Sequence, residues 1–266
     1  ILRNQTTEII DLGNVIDWDF RNNGYDIGGD VYGAITVQDI MGCTDPYAEN
    51  YNPEAISDDG SCYGYPDAGN NSLLFSDGDY VRIDQVSNPP QGTSDFTFSS
   101  KFLIYDTNLP GGSVLLCSET LDQFQFFIGN DGGNGYLDAY IGGDRTVADG
   151  INWQENVWYY FTVTRVGGLV TFYLNEEMLI QNESNNSINN VTYYDIGRRN
   201  NSAWNHQFNG LLDDISIWSL GLSDIEVTYI VTGADSLLND EDVVASYNFN
   251  TGVGDVAIDR SGNQNH

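Results

Sequence analysis

The chain has 266 residues and a formal net charge of −30, because 39 acidic residues outnumber nine basic ones. Such a surface repels phosphate backbones and anionic lipid headgroups, which argues against nucleic acids and membrane surfaces as partners. No run of about 18 apolar residues is present, so direct membrane insertion is not expected either. The 40% hydrophobic and 13% aromatic content predicts a folded protein, and its acidity suits divalent cations, a saline medium or neutral sugars.

In chain order, the sequence divides into three parts. Residues 1–42 contain short strand-like runs and a glycine-rich loop, and we interpret them as an N-terminal strand segment or the end of a preceding domain. Residues 43–66 form a cysteine-bounded, acidic linker, and residues 67–266 hold most of the strand-like runs. Because the chain does not begin with Met, we expect a mature protein or a piece of a longer one.

Cys43 and Cys62 flank a polar segment with almost no apolar side chains to build a core. A small loop of this composition needs a covalent staple, so we predict a Cys43–Cys62 disulfide worth roughly 3 kcal/mol. Such a bond requires an oxidising compartment. The alternative is a pair of unconnected thiols.

The same segment is rich in the oxygen ligands that Ca²⁺ prefers. The residues predicted to bind Ca²⁺ there are Asp45, Asn50, Asn52, Asp58 and Asp59. In "SDDGSC", two carboxylates precede a glycine turn whose backbone carbonyls can also face the ion, although the spacing differs from that of an EF-hand. The alternative is that Asp58 and Asp59 only form the turns that favour Asp and Gly.

The stretch "GCTDPYAENYNPEAISDDGSC" (residues 42–62) resembles a short module of the pattern "GCTDxxAxNYNxxAxxDDGSC". Modules of this kind lie between the domains of large secreted proteins of marine and gliding Bacteroidetes, and the match extends over the whole quoted stretch. The resemblance implies an extracellular, multidomain protein that is attached to the cell surface and exported by the type IX route.

After residue 67, apolar and polar residues alternate in short runs such as "FTFSSKFLIY", "QFQFFIG", "WYYFTVTRV" and "LLDDISIWSL". Clusters of Gly, Asn and Asp separate these runs. The pattern is typical of an antiparallel all-β sandwich. The one good helix candidate is "LSDIEVTYIVTG", in which Ser223 can act as the N-cap and Glu226 can complete a capping box.

Several of these runs resemble, in the same order, stretches of the laminin-G-like, concanavalin-A-like jelly-roll family. They are "LLFSDGDYVRI", "FTFSSKFLI", "NVWYYFTVTRVGGLVTFYLNEEMLI", "YDIGRRN", "FNGLLDDISIWSLGLSDIEV" and the tail "VVASYNFNTGVGDVAIDRSGNQNH". The resemblance implies an all-β, antiparallel, two-sheet jelly roll for this part of the chain. It leaves the function open, because this fold hosts lectins, enzymes and plain spacers.

Sugar-cleaving members of this fold carry a Glu-x-Asp-x-x-Glu cluster on one strand, which places a nucleophile and an acid about 5 Å apart. The chain lacks this pattern. Glu119 and Asp122 lie close together in "SETLDQ", but the alternation of side chains along a strand does not place both in one groove. The two histidines, His206 and His266, lie outside any Ser or Cys nucleophile pattern. The sequence therefore predicts a protein that is not an enzyme.

Pentraxin-like members of the family bind ligands through Ca²⁺ on one sheet face. The first acidic pair of that site resembles Asp122 and Gln123 here, whereas the second acidic cluster corresponds to Arg198, Arg199 and Asn200. The departure argues against a pentraxin-type site with two Ca²⁺ ions.

A structural Ca²⁺ between the first and last strands is a further prediction. Asp77 and Asp79 occupy the entry turn of the first strand, and Asp213 stands beside Asp214 on the last strand, which pairs with the first in this family. The alternative is that one member of each pair faces solvent, because successive strand residues alternate between faces.

The stretch "GRRNNSAWNHQFNG" is the most ligand-like surface of the chain. Sugars bind by stacking on aromatic rings and through planar amide or guanidinium donors, and two arginines could also attract a uronate or sulfate. The predicted ligand-binding residues are Arg198, Arg199, Asn200, Trp204, His206, Asp122 and Gln123. The alternative is a solvated loop whose Trp204 packs on the edge of the sandwich.

Together these features predict a non-catalytic binding or adhesion module of a large secreted cell-surface protein, stabilised by Ca²⁺, with an extracellular glycan or polysaccharide as its partner. A first alternative is a structural spacer or a subunit of a surface filament or stalk, which contacts only neighbouring domains of the same protein. A second alternative is the accessory domain of a polysaccharide-degrading enzyme.

Overall fold

The computed structural model describes residues 2–3, 9–10, 40–76, 78–84, 86–109, 111–199, 206–233, 242–252 and 254–266. The chain divides into two compact units, residues 1–38 and 39–266. In the first unit, β1 (Leu2–Arg3) pairs antiparallel with β2 (Ile9–Ile10). No helix in the described ranges is long and apolar enough to cross a membrane.

In the second unit, the described residues form mainly β-structure. The strands are β3 (Met41–Gly42), β4 (Ser57–Asp58), β5 (Leu73–Phe75), β6 (Val81–Ile83), β7 (Phe96–Ile104), β8 (Ser113–Ser118), β9 (Phe124–Asp131), β10 (Asn134–Ile141), β11 (Asp144–Ile151), β12 (Trp158–Val166), β13 (Leu169–Leu174), β14 (Glu177–Glu183), β15 (Tyr194–Ile196), β16 (Gly210–Trp218) and β17 (Val243–Tyr247). Between the last two strands lies the helix α1 (Asp224–Thr232).

Two antiparallel sheets form the sandwich. The six-stranded sheet has the order β11-β10-β9-β8-β15-β6, and the seven-stranded sheet has the order β14-β13-β12-β7-β16-β17, with β5 also paired to β16. Strands distant in sequence lie side by side, as β8 and β15 do. The prediction of an all-β, antiparallel jelly-roll sandwich of the concanavalin-A-like kind is confirmed.

The core lies between the two sheets. It is filled by the side chains that face inward, because successive residues of each strand point to opposite faces. β7 contributes Phe96, Phe98 and Phe102, all without exposed surface. The ring of Phe98 stacks on the ring of Phe126 in β9, with the centroids 4.0 Å apart. Because β7 and β9 belong to different sheets, this contact joins the two layers.

The first and last parts of the sandwich meet along β16. β5 pairs with residues 210–212 of this strand, and β17 pairs with residues 215–218. A bulge separates the two halves, and within it Asp214 has a φ of +45°. The family's pairing of the first strand with the last is therefore present.

The helix α1 forms where the capping box predicts it. The backbone N–H of Ser223 donates to Glu226 Oε2 at 2.7 Å, and the helix ends at Gly233, whose φ is +73°. The helix packs on the outer face of the seven-stranded sheet through a cluster of Tyr173, Trp218, Leu222, Val227 and Val243. α1 therefore covers this part of that face.

The predicted disulfide between Cys43 and Cys62 is present. The segment that it closes contains β4, which pairs in parallel with β3, just before Cys43. Residues 39–66 belong to the same compact unit as the sandwich.

The disulfide-closed segment is fastened to the end of the sandwich by polar contacts. The buried carboxylate of Asp45 lies 2.9 Å from His266 Nε2. Gln264 Nε2 donates to Thr44 Oγ1 and to Asp58 Oδ2, both at 3.0 Å. We call this junction the clasp.

Candidate functional site

The outer face of the six-stranded sheet collects arginine, aspartate and aromatic side chains. Its strands alternate, so β9 sends Phe124 and Phe126 into the core and Gln125 and Phe127 outward. Four of the nine basic residues of this acidic chain lie on this side, namely Arg82, Arg145, Arg198 and Arg199. We use the term arginine face for the central part, formed by Gln125, Phe127, Tyr136, Asp138, Tyr140, Arg145 and Arg199.

The hairpin of β10 and β11 supplies the first arginine–aspartate pair. Its turn residues, Gly142 and Gly143, have φ values of +59° and +92°, as a two-residue type I′ turn requires. Arg145 Nη2 lies 2.7 Å from Asp138 Oδ2, and the Arg145 guanidinium carbon lies 5.6 Å from the centre of the Tyr140 ring. Burial raises the pKa of Asp138, and Arg145 opposes this shift. The buried carboxylate thus fixes a guanidinium that is half exposed to solvent.

Three residues of the predicted ligand set meet around Phe127. Arg199 Nη2 lies 3.1 Å from Asp122 Oδ1, and the Arg199 guanidinium carbon lies 5.7 Å from the centre of the Phe127 ring. The ring of His206 packs edge-on against the same phenyl ring at 5.9 Å, and its Nδ1 lies 3.0 Å from the Gly112 carbonyl oxygen. The structure therefore brings Asp122, Arg199 and His206 together.

Gln125 is fully buried on the arginine face, and none of the described residues hydrogen-bonds to either atom of its side-chain amide. Its cross-strand neighbours are Cys117 on β8 and Tyr140 on β10. The Nε of Arg199 is also buried without an acceptor among the described residues. A buried polar group that stays unpaired costs about 1–3 kcal/mol, so a ligand that pairs both groups would recover this free energy.

A second arginine cluster lies at the β6 edge of the same sheet. The fully buried Asp195 accepts hydrogen bonds from Arg82 Nε at 2.8 Å and from Arg198 Nε at 3.0 Å. Arg82 lies over the Tyr193 ring at 4.1 Å, and Arg198 lies over the Tyr80 ring at 3.1 Å. Although the sequence predicts Arg198 and Arg199 as one site, the structure places them in different clusters.

The remaining predicted ligand residues do not join these clusters. Gln123 Oε1 accepts a hydrogen bond from the backbone N–H of Asn189 at 2.9 Å, so its side chain holds a neighbouring loop. Asn200 and Trp204 lie outside the described residues.

The predicted calcium ligands near the disulfide shape their own turns. Asp45, Asn52, Asp58 and Asp59 each accept a hydrogen bond from the backbone N–H two residues later, at 2.9–3.3 Å. Asn50 bonds to the backbone of residues 61 and 63. Within the part of the chain that the structure describes, no three His, Cys, Asp or Glu side chains are grouped to hold a metal ion. Calcium binding in this segment stays a prediction.

The aspartates predicted to join the first and last strands lie apart. Asp79 Oδ2 accepts from the backbone N–H three residues earlier, at 2.8 Å, in the turn that follows β5. Asp213 lies beyond the other end of the β5–β16 pairing, because the register sets Leu73 opposite Leu212. Asp77 lies outside the described residues.

Asp213 belongs instead to a charged cluster on the outer face of the seven-stranded sheet. Lys101 Nζ lies 3.2 Å from Asp213 Oδ2 and 3.5 Å from Asp214 Oδ2. Burial, together with the Asp214 carboxylate, raises the pKa of Asp213 to about 6, and the Lys101 ammonium only partly opposes this shift.

This raised pKa predicts a pH dependence of stability. The folded protein holds the Asp213 proton up to about pH 6, whereas the unfolded chain releases it near pH 4. The contribution of Asp213 to the free energy of unfolding is therefore highest below pH 4 and falls as the pH rises through this window. Urea unfolding of the native protein and of Asp213→Asn at pH 4, 5, 6 and 7 measures it. The native-minus-variant difference should fall with pH, and a constant difference would contradict the assignment.

Comparison with known families agrees with this architecture. A laminin G-type family model, described as the concanavalin A-like lectin/glucanases superfamily, matches residues 75–228, which is more than half of the chain. The chain therefore belongs to the concanavalin A-like lectin/glucanase superfamily. A comparison with curated proteins found no match.

Several solved structures are similar to the chain at low sequence identity. A putative carbohydrate binding protein from Bacteroides ovatus is 18% identical, with a TM-score of 0.60, and the match covers 79% of this chain and 62% of that one. A heptameric SAP-like pentraxin from Limulus polyphemus is 16% identical, with a TM-score of 0.48 and coverage of 62% and 79%. The receptor binding domain of botulinum neurotoxin D is 15% identical, with a TM-score of 0.48 and coverage of 64% and 47%. The chain thus spans less than two thirds of the Bacteroides protein and about half of the neurotoxin domain.

Several residues on the outer face of the six-stranded sheet were not predicted from the sequence. Asp138 and Arg145 lie on the two strands of one hairpin with a Gly-Gly turn. The register of a two-residue turn sets Arg145 opposite Tyr140 and diagonal to Asp138, and this signal could have brought the two together. Arg82 had no such signal, because its neighbour Asp195 comes from a strand distant in sequence. The neighbours of Gln125 come from the adjacent strands β8 and β10, and they depend on the register of those strands.

Proposed function

We propose that the second unit is a carbohydrate-binding module whose glycan lies on the arginine face. The observation that carries this proposal is the alternation of aromatic rings with arginine–aspartate pairs on the outer face of the six-stranded sheet, where the Arg145 side chain is half exposed. The C–H faces of a sugar stack on aromatic rings, and its hydroxyl groups bond to guanidinium and carboxylate groups.

The arginines of this face are held in position before any ligand arrives. Arg145 is fixed by Asp138 and lies beside Tyr140, while Arg199 is fixed by Asp122 and lies over Phe127. Side chains that are already ordered lose less conformational entropy on binding. Arg145, whose guanidinium is half exposed, therefore offers ordered donors to a ligand.

A non-catalytic role fits the state of the carboxylates. Asp122, Asp138 and Asp195 each bond to an arginine, which suits them to hold guanidinium groups and not to transfer protons. The module would accordingly bind a glycan without cleaving it, either as an adhesion module or as the accessory domain of an enzyme.

An extracellular location is part of the proposal. The Cys43–Cys62 disulfide supports an oxidising compartment, and the net charge of −30 suits a saline, calcium-rich medium. The similarity of the fold to a putative carbohydrate binding protein from Bacteroides ovatus supports the choice of ligand class. We propose secretion, attachment to the cell surface and stabilisation by Ca²⁺ on the same grounds.

A glycan array probed with the purified chain, in Ca²⁺ and in chelator, tests the function. For a glycan that binds, Arg145→Ala and Arg199→Ala should each weaken affinity about 10- to 100-fold, because each removes charge-assisted hydrogen bonds worth roughly 1.5–3 kcal/mol. Tyr229→Ala is the matched surface control, since Tyr229 is an exposed aromatic residue of α1, and it should bind as the native protein does.

The outcomes separate the parts of the proposal. Binding in both media supports the carbohydrate-binding function and contradicts a role for Ca²⁺ in it. Binding only in Ca²⁺ supports the function and the role of Ca²⁺. Equal loss of affinity in Tyr229→Ala would move the site away from the arginine face. No binding in either medium would sink the carbohydrate-binding function.

The clasp favours one second candidate, a structural spacer. It fastens the disulfide-closed segment to the end of the sandwich through the buried Asp45 and through Gln264. A rigid junction of this kind suits a building block of a stalk or filament. Failure of the glycan experiment would favour this role.

A further inference from the structure

The starting observation is the buried amide of Gln125. A side chain with no exposed surface normally has its polar atoms hydrogen-bonded, yet both atoms of this amide are unpaired among the described residues. A methionine or leucine would fill the same volume without that cost. The amide is therefore best explained as a group kept for a ligand.

Gln125 sits beside an apolar cluster on the same outer face. Val114, Cys117 and Phe127 form this cluster, and Tyr140 packs against it. The register sets Cys117 and Tyr140 on either side of Gln125. The amide thus offers one acceptor and two donor hydrogens next to apolar side chains, which are buried as the amide is.

Arg199 provides the second unpaired group. It contacts Asp122, just before β9, and the ring of Phe127, so it extends along β9 over the position of Gln125. Its Nε is buried without an acceptor among the described residues. A ligand can therefore reach the amide only if the Arg199 guanidinium leaves its 3.1 Å contact with Asp122, whose side chain is half exposed.

We propose that the glycan carries an acetamido group and that this group binds between Gln125 and Arg199. The inference rests on the proposed carbohydrate-binding function. A trans secondary amide directs its N–H and its C=O to opposite sides. The N–H donates to Gln125 Oε1 on the sheet, the C=O accepts from Arg199 Nε above it, and the methyl group packs on Phe127.

Other sugar substituents fit this place less well. A hydroxyl pair would satisfy the amide but bring no apolar group to meet Phe127. A carboxylate or sulfate would meet Asp122 and Asp138, which already bond to the arginines of this face. The acetamido group matches a donor, an acceptor and an apolar contact at once.

The test uses an array of glycan pairs that differ only by acetamido in place of hydroxyl, such as chitotriose and cellotriose. The native chain should bind the acetamido member of each retained pair at least 10-fold more tightly. Gln125→Met, which keeps the volume and removes the amide, should lose this preference and unfold at the same temperature or a higher one. Arg145→Ala serves as the comparison, because it should weaken both members of a pair equally.

The results distinguish this inference from the function that it refines. Binding of glycans without an acetamido preference overturns the inference and leaves the module intact. A lower unfolding temperature for Gln125→Met makes Gln125 a structural residue and also overturns it. No binding to any glycan removes the function and the inference together.

Discussion

Replacing Phe98 with alanine is expected to lower the free energy of unfolding of the sandwich by about 3–5 kcal/mol. Phe98 has no exposed surface, and its ring stacks on Phe126 of the opposite sheet and meets Phe161 edge-on. The truncation leaves a cavity between two sheets, whose paired strands limit how far the walls can close. The contact that joins the layers is lost with it.

Thermal unfolding measures this effect. For a domain of this size the loss corresponds to a fall in Tm of roughly 6–20 °C. Phe98→Leu, which keeps most of the apolar volume, should lose clearly less, and the exposed Tyr229→Ala should stay close to the native value. An unchanged Tm for Phe98→Ala would mean that the two layers are held together elsewhere.

Removing the disulfide is expected to have the second largest effect. The double variant Cys43→Ser, Cys62→Ser should lose roughly 3 kcal/mol, because the bond closes a segment with a sequence separation of 19 and few buried apolar groups. The clasp should open with it, since Asp45 and Asp58 lie between the two cysteines.

Chemical unfolding and limited proteolysis together check this expectation. The variant should be cut within residues 43–62 at protease concentrations that leave the native chain whole, and native protein treated with a reductant should behave in the same way. His266→Ala provides the comparison, because it removes one clasp contact while the disulfide stays. Resistance of the reduced chain would show that the polar contacts alone hold the segment.

Much of the fold could be predicted because its signals are local. The alternation in "FTFSSKFLI" sets Phe96, Phe98 and Phe102 on one face, and the structure buries all three in one core. Ser223 and Glu226 lie within one helical turn of each other, so the capping box of α1 could also be predicted from the sequence. The two-sheet arrangement and the pairing of the first strand with the last were inferred from family resemblance, and pairings such as that of β8 with β15 were not predicted because they are not local.

The site could be predicted only in part. The stretch around Arg199 and His206 was found from its composition, and both side chains meet at Phe127. Arg198 was placed with them, but its Nε donates to Asp195, three residues earlier on β15, in the cluster at the β6 edge of the same sheet. The partners of Gln125 depend on the register of three strands, which composition does not contain.

The clasp has a mechanical consequence. Side-chain atoms of residues 45 and 266 lie 2.9 Å apart although 221 positions separate them along the chain. A pull on the two ends of this unit therefore loads the clasp first, and the sandwich bears tension only after the clasp yields. A string of such units would be short for its mass. Each unit that unfolded would then release up to roughly 700 Å of chain, at about 3.3 Å per residue. The string would therefore lengthen under tension.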